Sequence, residues 1–331
     1  MSVSHEPRVS VIVSNFNGAK YLPRLLESIA AQRGVATEII VVDRHSTDDS
    51  LRILAAAEAI VVHERPETGL AAGYAAGAER ATSELLFFCN EDMWFAPDCL
   101  RLLAERIDLS GRIAAADPWQ WTYDGATLIH AGTRFRPSRF DSKTPYPWRS
   151  YEFLVPLAAG EEIPFGCAGA VMIHRSVYEE VGGWDRSFFL DHEDVDLFIR
   201  AWQAGWKCVG VPDAKVFHAV NASNLQTIHG GHVTVGRRRY VSGRSSVLIL
   251  GVKYFSVCGI VIPLLIWFAS LAGYAVTLRG RSFRWTLESG WETLRRLPAA
   301  WRERRERMRR GLPTAEKFFR APQFQLGATS E

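Results

Sequence analysis

Cysteine is scarce and irregularly placed. The 331 residues hold five (Cys89, Cys99, Cys167, Cys208 and Cys258), and no two are spaced as CxxC. That argues against a zinc ribbon or a disulfide framework and fits a reducing compartment. No basic segment followed by a long apolar run precedes the first strand pattern, so a secretory signal is not expected. Internal repeats and low-complexity runs are also missing. Acid is depleted at one end: residues 237–331 carry 6 Asp+Glu against 18 Lys+Arg, whereas residues 1–236 carry 30 against 21. The net charge of +3 therefore hides an acidic globule followed by a basic apparatus, with a boundary expected near residue 236. A chain of this length buries a large core as one large or two smaller domains.

What the first hundred residues do contain is alternation. Short apolar runs, RVSVIVS (8–14), EIIVVD (38–43), AIVVH (59–63) and ELLFFCNED (84–92), read as strands. Amphipathic stretches over 20–32, 47–57 and 69–81 read as the helices between them. Such alternation predicts an α/β fold with a mostly parallel sheet, helices on both faces and a ligand site at the carboxyl ends of the strands. Polar residues fall at those ends: Asn15 and Asn17 after the first strand, Asp43 at the second, and Asn90, Glu91 and Asp92 at the fourth. Gly69, Gly73 and Gly77 read as close-packing positions on the third helix.

The stretch FFLDHEDVDLFIR (188–200) crowds Asp191, Glu193, Asp194 and Asp196 together. On ordinary grounds Asp191 or His192 caps a helix here, and Glu193 and Asp194 complement its positive end. Asp196 and Arg200, four apart, pair on one helix face.

The ordered series VSVIVSNFNG, IIVVDRHSTDDS, LLFFCNEDMWFAPDCL, GCAGAVMIHRSVYEEVGGWDRSFFLDHEDVDLFIRAWQAG and VPDAKVFH resembles a family 2 inverting glycosyltransferase of GT-A fold. The basic GRRRYVSGRSS and the apolar-then-arginine tail are similar to its bacterial rhamnosyltransferase-like branch, and the likeness runs from about Val9 to Arg320. The resemblance implies a nucleotide-diphosphate sugar donor, with Asn15, Asp43, Asn90 and Asp92 as donor-binding residues. It implies a divalent metal, Mg²⁺ or Mn²⁺, held by Asp92 and His218 against the charge growing on the leaving diphosphate. Asp194 is implied as general base for the acceptor hydroxyl with Glu193 beside it, and Gly169, Trp184 and Asp185 as walls of the sugar pocket. Two positions depart from the family pattern: Asn90 stands where the first aspartate of a DxD-like motif is usual, and Arg44 follows Asp43. These departures keep open a catalytically inactive nucleotide-sugar or glycan-binding protein at the membrane surface.

One apolar run is long. Tyr254 to Leu278 has 25 residues without a charge, flanked by Arg237, Arg238, Arg239, Arg244 and Lys253 before it and Arg279, Arg281 and Arg284 after it. With basic flanks on both sides, the expectation is a re-entrant or in-plane hairpin broken near Pro263 at the cytoplasmic face of the inner membrane. Trp291, Leu294, Leu297 and Trp301 amid arginines continue that reading, toward an anionic membrane surface rather than nucleic acid. Residues 1–236 are thus expected to be the catalytic domain and 237–331 a membrane-associating helical region. The resulting expectation is transfer of a sugar, L-rhamnose from dTDP-rhamnose, to a polyprenyl-linked or envelope glycan acceptor.

Overall fold

The computed structural model describes residues 6–65, 68–135, 151–152, 157–219, 226–229 and 232–325. The first part alternates as the pattern predicts: β1 (Arg8–Asn15), α1 (Leu22–Ala30), β2 (Ala36–Asp43), α2 (Ser50–Ala55), β3 (Ile60–His63), α3 (Leu70–Ala78), β4 (Leu85–Asn90), β5 (Met93–Phe95) and α4 (Cys99–Ala104). Then come β6 (Ile113–Thr122), β7 (Leu128–His130), β8 (Arg134–Phe135), β9 (Tyr151–Glu152), β10 (Glu162–Ile163), β11 (Ala170–His174) and α5 (Arg175–Glu180). After α6 (Glu193–Gln203) and β12 (Lys207–His218), a hairpin of β13 (Gln226–His229) and β14 (His232–Val235) leads to α7 (Arg237–Tyr254), α8 (Val257–Val276), α9 (Gly280–Arg309) and α10 (Ala315–Phe319). Most of the proline- and aromatic-rich stretch 136–153 lies outside the described residues.

The main sheet runs β10-β12-β6-β11-β4-β1-β2-β3, with β5 on β12 and β7 on β6. β4, β1, β2 and β3 are parallel; the Val, Ile and Phe runs of β1 and β4 and the second half of β2 are buried on both faces, whereas edge strand β3 leaves Ile60 exposed. β11 is antiparallel to both β4 and β6, and β12 is parallel to β6. Two reversals restore the direction, so β12 ends at the same edge as β1, β2 and β4. Register sets Asn15 opposite Asp43 and Ser14 opposite Asn90. β5 pairs His218 with Met93, which turns Asp92 toward the end of β12.

α3 packs on this sheet through small residues. A Cβ on Gly77 would sit 2.4 Å from Ile12 Cγ2, and one on Gly69 2.3 Å from the Phe189 Cα, whereas Gly73 meets only ordinary contacts of 3.7 Å and beyond. Gly77→Ala is therefore expected to cost about 1–3 kcal/mol by overpacking. Gly73→Ala, in the same helix, gains up to about 1 kcal/mol from helix propensity. Urea unfolding of the two variants checks the contrast, and equal effects would refute it.

The core does not stop where the composition changes. Val247, Ile249, Leu250 and Val252 of α7 share one buried cluster with Leu197 and Ile199 of α6 and Ile173 of β11. α10 closes it, with Phe318 5.4 Å from Trp202. α9 runs beside α7 in the same direction, as Tyr240–Thr286 at 3.0 Å and Arg304 donating to the Val252 carbonyl at 2.9 Å show. α8 lies antiparallel to α9, with Trp267 Nε1 donating to Ser289 Oγ at 3.0 Å.

The hairpin expected at Pro263 does not form: α8 is one helix from Val257 to Val276 with Pro263 inside it. The proline removes one intrahelical donor, to the Gly259 carbonyl. That carbonyl instead faces Gly251 of α7, 3.2 Å from where a Cβ would stand, so a close glycine–glycine crossing accommodates it. The window Gly259–Val276 is long and apolar enough to cross a membrane and is only 6% buried. Val257, Val261, Leu264, Leu265 and Phe268 on α8 and Leu287, Trp291, Leu294 and Trp301 on α9 are exposed. The α9 set recurs at spacings of four, three and seven residues, one stripe of a helix whose next face carries Arg284, Arg295 and Arg302.

Candidate active site

Four loops meet at the carboxyl edge of the sheet. The β1–α1 and β2–α2 loops are laced together: Thr47 N donates to Asn17 Oδ1 (2.8 Å) and Ala19 N to Asp48 Oδ2 (2.9 Å). Beneath them Asp43 is buried. Its Oδ1 accepts from Asn15 Nδ2 (2.8 Å) and Ser46 Oγ (2.6 Å), and its Oδ2 from Ser46 N (3.0 Å). Asn15 is fully buried and serves as a support for Asp43. The exposed group here is Phe16, 41% accessible, with the Arg44 guanidinium 5.7 Å from its ring. An aromatic face and a guanidinium at the end of β1 offer a stacking surface for a planar base. Phe16 reads in the sequence only as one more apolar residue after a strand.

The turn between β4 and β5 carries Asn90, Glu91 and Asp92. Asp92 Oδ1 lies 3.2 Å from His218 Nε2, so the two expected metal ligands do come together. Burial, then the charge of Asp92, pushes the Glu91 carboxyl up to about 7, with Arg44 acting the other way. Among the described residues no group of three or more His, Cys, Asp or Glu side chains is placed to hold a metal. One carboxylate and one imidazole still suit a divalent cation that takes its other ligands from diphosphate and water, as Mg²⁺-type sites often do.

The remaining wall is the small-residue strip before β11. Ala168 N points to Asp194 Oδ2 at 3.4 Å, and Asn90 N donates to the Gly169 carbonyl at 3.1 Å. Tyr74 Oη donates to the Ala168 carbonyl (2.9 Å) and lies 3.0 Å from Asn90 Oδ1. Two residues of backbone thus join the fourth-strand turn to the first turn of α6. A Cβ on Gly169 would come within 3.1 Å of Met93 Cε, so the strip admits little more than backbone there. Tyr74 is the tie that sequence reading misses, because a tyrosine among alanines and glycines reads as packing.

Glu193 and Asp194 open α6 together with Asp196. Glu193 is buried, with Oε2 unpartnered among the described residues. Its pKa is driven well above the carboxylate range by burial and then by the charges of Asp194 and Asp191. Asp194 is partly exposed and accepts from Val195 N at 2.8 Å; burial pushes it up to about 6. A carboxylate of this affinity at the surface of the site can take a proton near neutral pH.

Three expected placements differ. Asp191 does not cap α6: it pairs with Arg239 of α7 (2.9 and 3.1 Å), and the N-cap is His192, which makes no side-chain cap bond. Both are left-handed, with φ of 68° and 73°, a strained pair for non-glycine residues that Arg239 helps to hold. Trp184 does not wall the pocket: its ring is 3% exposed and packs 5.3 Å from Phe88 and 5.6 Å from Tyr74. Asp185 turns the other way, into a buried ion cluster around Lys253. There Lys253 Nζ reaches Asp196 Oδ1 (2.5 Å), Asp185 Oδ2 (2.9 Å) and Glu303 Oε2 (2.8 Å). Arg200 and the Tyr254 hydroxyl donate to Asp196 at 2.6 Å each. Asp196 and Arg200 do pair as their spacing predicts, but Lys253, which reads as a membrane flank, is a core residue.

Comparison with known proteins bears on this arrangement. The family model described as glycosyl transferase family 2 matches residues 10–182, from β1 through α5. The chain belongs to glycosyl transferase family 2. This family transfers hexosyl groups with inversion at the anomeric carbon. The transferase is 25% identical over 235 residues to N-acetylglucosaminyl-diphospho-decaprenol L-rhamnosyltransferase of Mycobacterium tuberculosis, covering 63% of this chain and 75% of that one. It is 26% identical to N-acetylgalactosaminyltransferase 6 of Drosophila melanogaster over 65% of this chain, but only 34% of the fly protein. Among solved structures, GalNAc-T7 with UDP, GalNAc and Mn²⁺ superposes with a TM-score of 0.62 at 17% identity, over 96% of this chain and 57% of that one. A mannosyltransferase from Pyrobaculum calidifontis with GDP-Man and Mn²⁺ gives 0.52 at 16%, over 88% of both chains. The α/β GT-A fold is thus shared, and this family 2 transferase carries its extra helices on the same core.

Proposed function

We propose that the protein transfers L-rhamnose from dTDP-rhamnose to a polyprenyl-linked or other envelope glycan acceptor, working at the cytoplasmic face of the inner membrane. The observation that carries the reading is the joining of Asp194 to the Asn90–Asp92 turn through Ala168 and Gly169. It gives one site with a place for a donor diphosphate at Asp92 and His218 and a base across from it. The mycobacterial relative supports the sugar and a diphospho-prenol acceptor. The exposed apolar faces of α8 and α9, edged by arginines, support attachment to an anionic membrane surface.

In this reading Asp194 Oδ2 takes the proton of the acceptor hydroxyl as its oxygen attacks the anomeric carbon from the face opposite the diphosphate, which inverts that centre. Glu193, held protonated, can donate a hydrogen bond to an acceptor hydroxyl without adding charge beside the base. Asp92 and His218 would hold a Mg²⁺ or Mn²⁺ ion, which when bound offsets the charge left on the departing diphosphate.

Donor consumption by detergent-extracted protein tests this, using a panel of nucleotide sugars with Mg²⁺, Mn²⁺ or EDTA. The expected result is metal-dependent turnover of dTDP-rhamnose in the presence of a diphospho-prenol acceptor. Binding of donors with no turnover of any of them would instead select the inactive binding protein.

A further inference from the structure

A cavity lined by none of the residues assigned chemistry above opens at the 187–189 turn. It measures about 540 Å³ and is bounded by the 187–189 turn, the first turns of α7 and the middle of α9, with Phe189, Arg237, Arg238, Leu287, Trp291 and Arg296 in its walls. Arg296 sets its character. The guanidinium is half-buried, lies 4.7 Å from the centre of the Phe188 ring and donates to hydroxyls: Ser245 (3.2 Å) and Ser246 (3.4 Å) through Nη1, and Ser187 (3.4 Å) through Nη2. Its Nε is buried with no partner among the described residues. Two carboxylates share the wall: Glu288 pairs with the wall residue Arg237 (2.7 Å) and with Arg284 (3.2 Å), and Glu292 lies 3.9 Å from Arg295. Arg237, Arg238 and Arg296 outnumber Glu288 and Glu292 in the lining, and a guanidinium with an unpartnered Nε there favours a phosphate-type anion.

The other side of the cavity is apolar and open. Leu287 and Trp291 are 45% and 66% exposed and begin the stripe that continues through Leu294 and Trp301. The cavity therefore joins an anion cradle to an apolar track. Phe189 is five residues before Asp194, a reach of at most about 18 Å.

We propose that this pocket binds the diphosphate of an isoprenoid-linked acceptor, with Arg296 and Arg238 on the phosphates and the first isoprene units against Leu287 and Trp291. The acceptor sugar is then delivered toward Asp194. The assignment rests on the lipid-acceptor reading above.

Equilibrium binding of farnesyl diphosphate to the full-length protein in detergent tests it, comparing wild type with Arg296→Gln, Arg238→Gln and Trp291→Ala. Losing one charge-assisted contact in Arg296→Gln should weaken binding about tenfold or more. Farnesol and inorganic pyrophosphate should each bind more weakly than farnesyl diphosphate, and dTDP should not displace it. Arg238 and Trp291 are exposed, so their variants report even where Arg296→Gln fails to fold. Wild-type binding in all the folded variants, or displacement by dTDP, would overturn the proposal. So would phosphatidylglycerol vesicles competing on equal terms, which would hand the pocket to bulk lipid. Binding is read without turnover, so an active transferase with unaltered binding in the variants refutes the pocket alone. Pocket binding with no transfer to any lipid acceptor refutes the transfer reading alone.

Discussion

Asp194→Asn should lower sugar transfer roughly 10²–10⁴-fold, the usual worth of a positioned general base, while leaving nucleoside diphosphate affinity unchanged. The asparagine keeps the shape and can still accept from Val195 N, but it cannot take the acceptor proton. A variant with full turnover would remove Asp194 from the mechanism. Wild-type activity should also fall as pH drops through about 6, the value to which burial pushes Asp194. Stability changes in the opposite sense. A buried carboxyl raised above its unfolded value holds its proton in the folded chain, so stability is fully present at low pH. It is lost as pH rises from the ordinary carboxylate range through the raised folded value. Glu193 is raised by the same burial. Glu193→Gln should therefore melt higher than wild type at pH 8 and no higher at pH 4, while turning over more slowly.

Lys253→Met should destabilise the fold by about 3–5 kcal/mol, as expected when one member of a buried ion cluster is removed and the rest stay charged. Burial alone would depress this lysine, but the charges of Asp196, Tyr254, Asp185 and Glu303 outweigh it and raise its pKa well above the usual range. Asp196 is completely buried, and although burial favours its neutral form, Arg200 and Lys253 hold it ionised. Methionine fills much of the space and supplies no charge. Glu303, 46% exposed, gives the contrast: Glu303→Gln should cost under about 1 kcal/mol. Guanidinium unfolding of both variants decides the point, and comparable losses would mean that Lys253 is worth no more than a surface pair.

Much of this architecture is readable from the chain because its signals are local. Short apolar runs give β1 to β4, and polar residues at their ends give the site edge. The resemblance gives Asp194 and the Asp92–His218 pair. What escapes the sequence depends on contacts across long separations. Tyr74 reaches Ala168 over 94 residues, and Lys253 reaches Asp196 over 57. Nothing near either residue announces its partner. Composition also misleads where a basic, apolar segment doubles as core: α7 looks like a membrane flank, yet Ser242 to Tyr254, apart from Arg244, is buried. Truncation there would remove Lys253 and Tyr254, partners of Asp196, along with the tail.

The cluster around Lys253 also bears on the order in which the protein comes into being. Asp196 leaves the ribosome 57 residues before Lys253, and Glu303 follows 50 residues later still. At about 5–20 residues per second, the turn that carries Glu193 and Asp194 waits several seconds or more for its supports. By then the emerging chain already displays the apolar surface of α8. The apolar surface of α8 thus emerges before the first turn of α6 has all of its braces.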